Sequence, residues 1–398
     1  MVVKKILSGL MICATVILTS CAGDYFNWDL ERSNPNDNPG SSSSSGTGGT
    51  TGSGGTSTGG TGAGGTTGSG GTSGGGTGTG GTGGTGDGPA ITILNDLNQI
   101  QFVDNTIAYA VGDGVVIKSL DGGLTWVRIN TSSNMNFTTI YFVNASIGYL
   151  GGNDQYYSYL FRTVDGGLTW QQLTRFWFQN DRNEVTGILA SPSGVQVVAL
   201  INRYPNATQV FGNMVYSSNA GSTWNTQTAS RQAGFNNADL VNGTIFIAGN
   251  AYWTGTTYRA SVYTNSFLVN GSPDITESES VITHVNEPKS LTQLDMVSNF
   301  GFATTNDGRF AISSDNGKNW TLKSLPASIA SMDLNAILFT SSSLGYIGTS
   351  SGLILKTENS GLSWTTAFQA PNEVTDLALR PDGKVIAIGK KGLIRVIN

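Results

Sequence analysis

Leu120-Asp-Gly-Gly-Leu-Thr-Trp126 returns four more times along the chain, as Val164-Asp-Gly-Gly-Leu-Thr-Trp170, Ser218-Asn-Ala-Gly-Ser-Thr-Trp224, Ser314-Asp-Asn-Gly-Lys-Asn-Trp320 and Glu358-Asn-Ser-Gly-Leu-Ser-Trp364. The tryptophans stand 44, 54, 96 and 44 residues apart, and 96 is twice 48. A sixth copy has therefore decayed between Trp224 and Trp320. A period of about 40 to 50 residues built from short strands is the signature of a β-propeller, each period forming one four-stranded blade.

The segments around each phrase alternate with period two and break at tight turns, as strands do. The first repeat offers Gln99–Val103, Ile107–Val111, Val115–Lys118 and Trp126–Ile129, and the second Thr139–Val143, Ile147–Leu150, Tyr159–Thr163 and Trp170–Leu173. The third runs from Thr186 to Thr228, the fourth, without its own phrase, from about Ala238 to Thr283, the fifth from Leu291 to Leu322 and the sixth from Ala336 to Ala367. A seventh has only Val374–Leu379, Lys384–Ile388 and Leu393–Ile397, while one orphan strand, Ala90–Leu94, precedes the first repeat. The expected fold is all-β, a seven-bladed propeller over residues 90–398 whose last blade is completed by Ala90–Leu94. Six or eight blades stay open, because Ser266 to Val285 is poorly patterned.

Within the phrase, Asp121, Asp165, Asn219, Asp315 and Asn359 suit a hairpin tip, where a short oxygen-bearing side chain binds nearby amides. Gly123, Gly167, Gly221, Gly317 and Gly361 supply a positive φ. Trp126, Trp170, Trp224, Trp320 and Trp364 open the outer strand and can bury their rings between blades. The phrase resembles the Asp-box of the sialidase-type repeat. Ile107-Ala-Tyr-Ala-Val-Gly112 with Val116-Ile-Lys-Ser-Leu-Asp-Gly-Gly-Leu-Thr-Trp126, and Leu344-Gly-Tyr-Ile-Gly348 with Gly352-Leu-Ile-Leu-Lys-Thr357, resemble the Ycf48 repeat. That family comprises photosystem II assembly and stability factors and their bacterial relatives. The resemblance implies a propeller and a scaffolding role. It also implies that the boxes lie at the periphery, away from ligands.

The N-terminus reads as an export signal, residues 1–20: Lys4 and Lys5, an apolar run from Ile6 to Leu18, then small residues before Cys21. Cys21 resembles the lipidated residue of a bacterial lipoprotein, and Ala22 after it suggests the outer membrane, with the leaflet unread. Residues 21–40 would form the lipidated segment. Residues 41–88 are almost wholly Gly, Thr and Ser, a disordered linker spanning roughly 35–40 Å. The only other cysteine, Cys13, lies in the removed part, so no disulfide is expected. Loss of Lys4 and Lys5 takes the formal charge from −5 to −7. That acidity argues against nucleic acid as a partner.

Chemistry is sparse. The single histidine, His284, cannot build a histidine metal cluster and is expected on the surface or in a loop. No nucleophile elbow, EF-hand or phosphate loop is present, and no cofactor or metal is expected. A sialidase would need an arginine cluster, and Arg128 and Arg162, expected in outer strands beside the boxes, suit packing better. The boxes and the connections from second to third strand and from blade to blade open on opposite faces. Those connections swell in blades two to four, with Tyr156, Tyr157, Arg175, Trp177, Arg182, Arg203, Tyr204, Tyr252, Trp253 and Tyr258. Tyr, Trp and Arg are the residues enriched in binding hot spots. These ten are the expected ligand-binding patch, the boxes being scaffold. The expected role is a non-enzymatic scaffold that binds an envelope or cell-surface protein. A surface glycan is the alternative and a sialidase-type glycosidase the third.

Overall fold

The computed structural model describes residues 93–397, except 131–133, 178–180, 207–208, 229–232, 267–277, 285–288, 327–328 and 330–331. Two-residue strands at Leu18–Thr19 and Tyr25–Phe26 apart, the expected leader, Cys21 and linker lie outside the described residues.

Seven antiparallel sheets follow one another in chain order. From the channel outward, blade one is Leu97–Phe102, Ala108–Gly112, Val115–Ser119 and Val127–Asn130. Blade two is Asn136–Phe142, Gly148–Asn153, Ser158–Thr163 and Trp170–Phe176. Blade three is Arg182–Ala190, Val197–Asn206, Gln209–Ser217 and Thr223–Thr228. Blade four, which lacks a box, is Phe235–Val241, Thr244–Gly249, Tyr258–Ser266 and Ser278–His284. Blade five is Leu291–Val297, Phe300–Thr305, Arg309–Ser313 and Thr321–Ser324. Blade six is Leu334–Phe339, Gly345–Thr349, Leu353–Thr357 and Thr365–Gln369. Blade seven has Val374–Leu379, Val385–Gly389 and Ile394–Ile397.

Seven blades thus hold, and three details differ from expectation. Of the orphan strand Ala90–Leu94, residues 90–92 lie outside the described set, and Ile93 and Leu94 are not strand. Ile93 instead packs with Leu97, Ala378, Ile386 and Ile388, and the Gly392 amide donates to the Asn95 carbonyl at 2.9 Å. That turn-to-turn contact joins the last blade to the first. Arg162 sits in the third strand of blade two, not the outer one, opposite Tyr149 and Gln171. His284, expected on the surface or in a loop, ends a strand opposite Tyr258, which overturns the loop alternative alone.

Each box does what its residue types suggest. Asp121 Oδ1 accepts from the amides of Leu124 and Thr125 at 3.0 and 2.9 Å, and Asp315 Oδ1 from Lys318 and Asn319 at 3.1 and 2.9 Å. Asp165, Asn219 and Asn359 accept likewise from Thr169, Thr223 and Ser363, each at 2.9 Å. Two successive residues are left-handed, not one: Gly122, Gly166, Ala220, Asn316 and Ser360 precede the glycines already named, all with positive φ. The first of each pair donates its amide to the turn between the first and second strands of its own blade, at Thr106, Ser146, Val195, Asn299 and Ser343. Every box is therefore seated on that turn. Each tryptophan packs with the blade before its own, as Trp170 does with Tyr109 and Val111 of blade one.

A second repeat surrounds the channel. Every inner strand carries a register shift near its start, after Leu97, Phe137, Val185, Phe235, Leu291, Leu334 and Val374. All seven residues are buried. The residue that follows each is Asn or Thr: Asn98, Thr138, Thr186, Asn236, Thr292, Asn335 and Thr375. A bulge frees a side chain to leave its own ladder. Here five of them reach the carbonyl before the bulge of the next blade. Asn98 bonds Phe137 at 2.8 Å, Thr138 bonds Val185 at 2.5 Å, Asn236 bonds Leu291 at 2.5 Å, Thr292 bonds Leu334 at 2.7 Å and Thr375 bonds Leu97 at 2.7 Å. The free inner-edge amides are capped in the same direction. Gln99 and Gln101 accept from Ile140 and Phe142, Asn237 and Asp239 from Leu294 and Met296, Asp295 from Phe339, and Asp376 from Ile100. An inner strand is a sheet edge with unpaired amides and carbonyls, and these side chains satisfy it.

Candidate functional site

The face opposite the boxes is shaped by lengthened hairpins, not by irregular loops. Val197–Asn206 is 10 residues long where its counterpart Ala108–Gly112 is 5. At about 3.3 Å per residue it overshoots by roughly 16 Å. Arg182, Arg203 and Tyr204 thus lie in ladders, with Arg182 opposite Tyr204 and Arg203 opposite Phe211. In blade four, Tyr252–Trp253 forms an extra ladder with Tyr258 and Arg259. Arg175 lies in the outer strand of blade two, and Trp177 is the first residue after that strand ends at Phe176.

The side chains gather into three groups, one per blade. In blade two, Asp154 Oδ1 accepts from the Tyr156 and Tyr157 amides, both at 2.7 Å, and Oδ2 accepts from the Tyr159 hydroxyl at 2.8 Å. Ring centroids step from Tyr156 to Tyr157 at 6.5 Å and on to Tyr159 at 6.1 Å, and Arg175 lies 4.9 Å over the Tyr157 ring. Burial pulls the Asp154 carboxyl up, but those hydrogen bonds and the Arg175 charge outweigh it and hold it below the usual carboxylate range. In blade three, Arg182 pairs with Glu184 at 3.1 Å and covers the Tyr204 ring at 5.0 Å, while Arg203 pairs with Asp181 and lies over Phe211. Burial, and then the Glu184 charge, push the Tyr204 hydroxyl up to about 12. In blade four, the Trp253 and Tyr258 rings meet at 4.7 Å, tilted by 52°.

Exposure separates the ten predicted residues. Tyr156, Trp177 and Trp253 are 61%, 57% and 53% exposed. Tyr157, Tyr204 and Tyr258 are half-buried, and Tyr252, at 7%, belongs to the interior of its blade. The three exposed rings are all the large exposed aromatics among the described residues.

The carboxyls with strongly raised pKa values lie elsewhere, on the inner strands. Burial pushes Asp376 to about 7, and burial together with the Asp239 charge pushes Asp295 to about 8; burial also raises Asp239. Raised carboxyls often mark active sites, yet each of these accepts an amide of the next blade, which is a structural task. Sequence reasoning missed them. Their signal was a lone acidic residue inside the inner strands of blades four, five and seven. No group of three His, Cys, Asp or Glu placed to hold a metal occurs among the described residues.

No protein-family model matches the chain, and no curated protein does. Solved structures do. A YCF48 bound to a D1 peptide matches with a TM-score of 0.54 at 16% identity, over 77% of this chain and 95% of that one. YCF48 from Cyanidioschyzon merolae matches with a TM-score of 0.53 at 11% identity, over 77% of this chain and 97% of that one. The fold is that of YCF48. At these identities the likeness is one of architecture, and it spans the propeller.

Proposed function

We propose that this chain is a non-enzymatic, exported lipoprotein, anchored through Cys21, whose propeller head binds a protein of the cell envelope and acts as an assembly scaffold. The observation that carries the binding role is the exposure of Tyr156, Trp177 and Trp253 in the connections of blades two and four, opposite the boxes. Aromatic anchors of this kind dominate interface energies. A YCF48 of the same fold is known with a peptide bound, which supports a protein rather than a sugar as ligand. The export signal and lipid site rest on Lys4, Lys5, the apolar run and Cys21.

The test is photo-crosslinking in intact cells, with a crosslinking amino acid placed at Gln155 beside the patch, or at Lys318 in a box as control. A defined protein adduct from Gln155 and none from Lys318 is expected. The Trp177→Ala/Trp253→Ala double variant should lose that adduct while staying folded. Adducts from both positions alike, or from neither, would remove the scaffold reading. Labelled fatty acid should enter the wild type and not Cys21→Ser, and its absence from the wild type would remove the lipid anchor.

A further inference from the structure

Two of the interfaces between blades are held in opposite ways. Where blades seven and one close the ring, hydrogen bonds cross repeatedly. Thr375 Oγ1 donates to the Leu97 carbonyl at 2.7 Å, and the Ile100 amide to Asp376 at 2.9 Å. Arg380 Nε donates to the Gly122 carbonyl at 3.0 Å, and the amides of Lys391 and Gly392 donate to Asp96 and to the Asn95 carbonyl, both at 2.9 Å. Blades two and three are joined by continuous chain, yet four buried polar atoms that face their interface have no hydrogen-bond partner: Thr139 Oγ1, Asn153 Oδ1, Ser158 Oγ and Asn183 Oδ1.

Register places all four. Asn153 stands opposite Ser158, and Ser158 opposite Phe176. Alternation puts Asn153 on the side of Gly151, and Ser158 on the side of Leu160. That side meets blade three. A Cβ at Gly151 would come within 2.7 Å of Val185 Cγ1, and Leu160, Phe176 and Val185 share one apolar cluster. Asn183, two residues before Val185, faces back toward blade two by the same alternation. These three residues lie at the end of the interface opposite the boxes. Thr139 Cγ2 lies beside the same Gly151. Thr139 holds the place in its inner strand that Gln99, Asn237 and Asp376 hold in theirs, where each accepts an amide of the next blade. At the box end the interface is tied: the Tyr149 hydroxyl donates at 2.5 Å to the carbonyl of Gly194, in the turn that seats the box of blade three.

We infer that the ring opens between blades two and three, the two parting at the face opposite the boxes while the turn at Gly194 stays joined. A polar atom left unpaired in a closed interface has given up its water and gained nothing in return. Parting the blades hydrates all four atoms and regains that free energy. At the seam of blades seven and one, the same movement breaks bonds that are already made. What resists opening between blades two and three is the Thr138 bond to the Val185 carbonyl, together with the apolar cluster. Local openings of this kind follow the least stable part of a structure. Parted, the blades present two amide oxygens and two hydroxyls to donors that the closed ring shuts out.

The experiment is thiol labelling under native conditions, on the full chain with Cys13→Ser and Cys21→Ser, which carries no other cysteine. Ser158→Cys keeps the side chain's size and puts the probe inside the interface. Val115→Cys, buried at the seam of blades seven and one, is the reference. When opening and closing outpace the reagent, the labelling rate reports the open fraction. Ser158→Cys should react at least about tenfold faster than its global unfolding, measured in urea, permits. Val115→Cys should react at the rate that its global unfolding sets. Adding Thr139→Val removes one unpaired hydroxyl and should slow the labelling of Ser158→Cys about fivefold. Should Ser158→Cys fail to fold, Asn183→Cys reads the same opening from blade three. Labelling of both probes at the global rate overturns the inference. So does equally fast labelling at Val115→Cys, or fast labelling at Ser158→Cys that Thr139→Val leaves unchanged.

Discussion

On the box face the exposed large hydrophobic side chains are aliphatic: Leu120, Leu124, Val127, Val164, Leu168, Val195, Leu362 and Leu379. On the opposite face they are Tyr156, Trp177 and Trp253, with Leu94 beside the seam. Both faces belong to the same strands, so the difference lies in how their connections are held. A box loop must place two left-handed residues and one amide on its neighbouring turn, which fixes its length five times over. Connections on the other face are seated at their base, where the amides of Asp113, Asn250, Asn306, Ser350 and Lys390 donate to the carbonyl just before the inner strand of the same blade, a seat that does not fix how far the connection runs beyond it. They can lengthen without disturbing the ring, and blades two to four have done so. Repetition marks what holds the molecule together, and departure from it marks what the molecule is free to use.

The sharpest way to break this comparison is to remove one tryptophan from each side. Trp224 is 2% exposed, meets Phe176 edge-on at 6.4 Å and donates Nε1–H to the Gly221 carbonyl at 3.0 Å. Trp224→Ala should cost about 3–5 kcal/mol in urea unfolding, the range for emptying an aromatic site in a core. Trp177→Ala should change stability by no more than ~0.5 kcal/mol, as surface substitutions do. Equal losses would show that the open rings are part of the packing, and the division between the faces would fail.

The boxes were legible in the sequence because their work is local. Asp, Gly and Trp act within seven residues, so one glance at Leu120–Trp126 contains the whole device. They number five, however, and blades four and seven had to be supplied by spacing. The step of a buried apolar residue followed by Asn or Thr, Leu97-Asn98 through Val374-Thr375, numbers all seven. It was overlooked because two-residue steps are common, and this one gains meaning only from a carbonyl in the next blade. The patch shows the opposite limit. Residue type and position were readable, but not that Asn202–Asn206 continues a strand, nor that Tyr252 turns inward while Trp253 beside it turns out. Alternation in a two-sided hairpin decides that, and the local pattern there is too polar to show its register.

Titration sharpens the contrast further, because boxes and channel respond to opposite ends of the pH scale. Asp315 is held down to about 2 by the Asn319 amide, the Asn319 side chain and the Ser313 hydroxyl. A lowered carboxyl contributes stability above its ordinary pKa of 3.8, which is lost as pH falls toward 2. Asp295, pushed to about 8, has the reverse sign: its contribution is intact below 3.8 and is lost as pH rises through about 8. Asp295→Asn keeps an acceptor for the Phe339 amide, the task that Gln99 and Gln101 perform without charge in blade one. It should stabilise by on the order of 2 kcal/mol at about pH 9, less than the full shift implies because the residue is partly open to water, and by almost nothing at about pH 4. Urea unfolding at both values reads the result. A stability loss at about pH 9 would mean the carboxylate, not its neutral form, holds blades five and six together.

The smallest expected effect tests whether the irregular side extends down to the channel. Thr138 and Thr186 occupy the same bulge position in blades two and three. Thr138 Oγ1 donates to the Val185 carbonyl at 2.5 Å. Thr186 Oγ1 is buried without a partner, because Asn202, on the lengthened second strand of blade three, takes both the amide and the carbonyl of Phe235, at 2.7 and 2.8 Å. Thr→Val removes only a hydroxyl and keeps the shape. Thr138→Val should therefore cost about 1 kcal/mol, the net worth of one hydrogen bond, while Thr186→Val should cost nothing or stabilise slightly by removing an unsatisfied buried group. Equal losses would mean that Thr186 holds a latch of its own and that the junction beneath the long hairpin is as regular as the others. Unequal losses would place a departure from sevenfold repetition in the blade with the longest second strand, and would tie it to Asn202 on that strand.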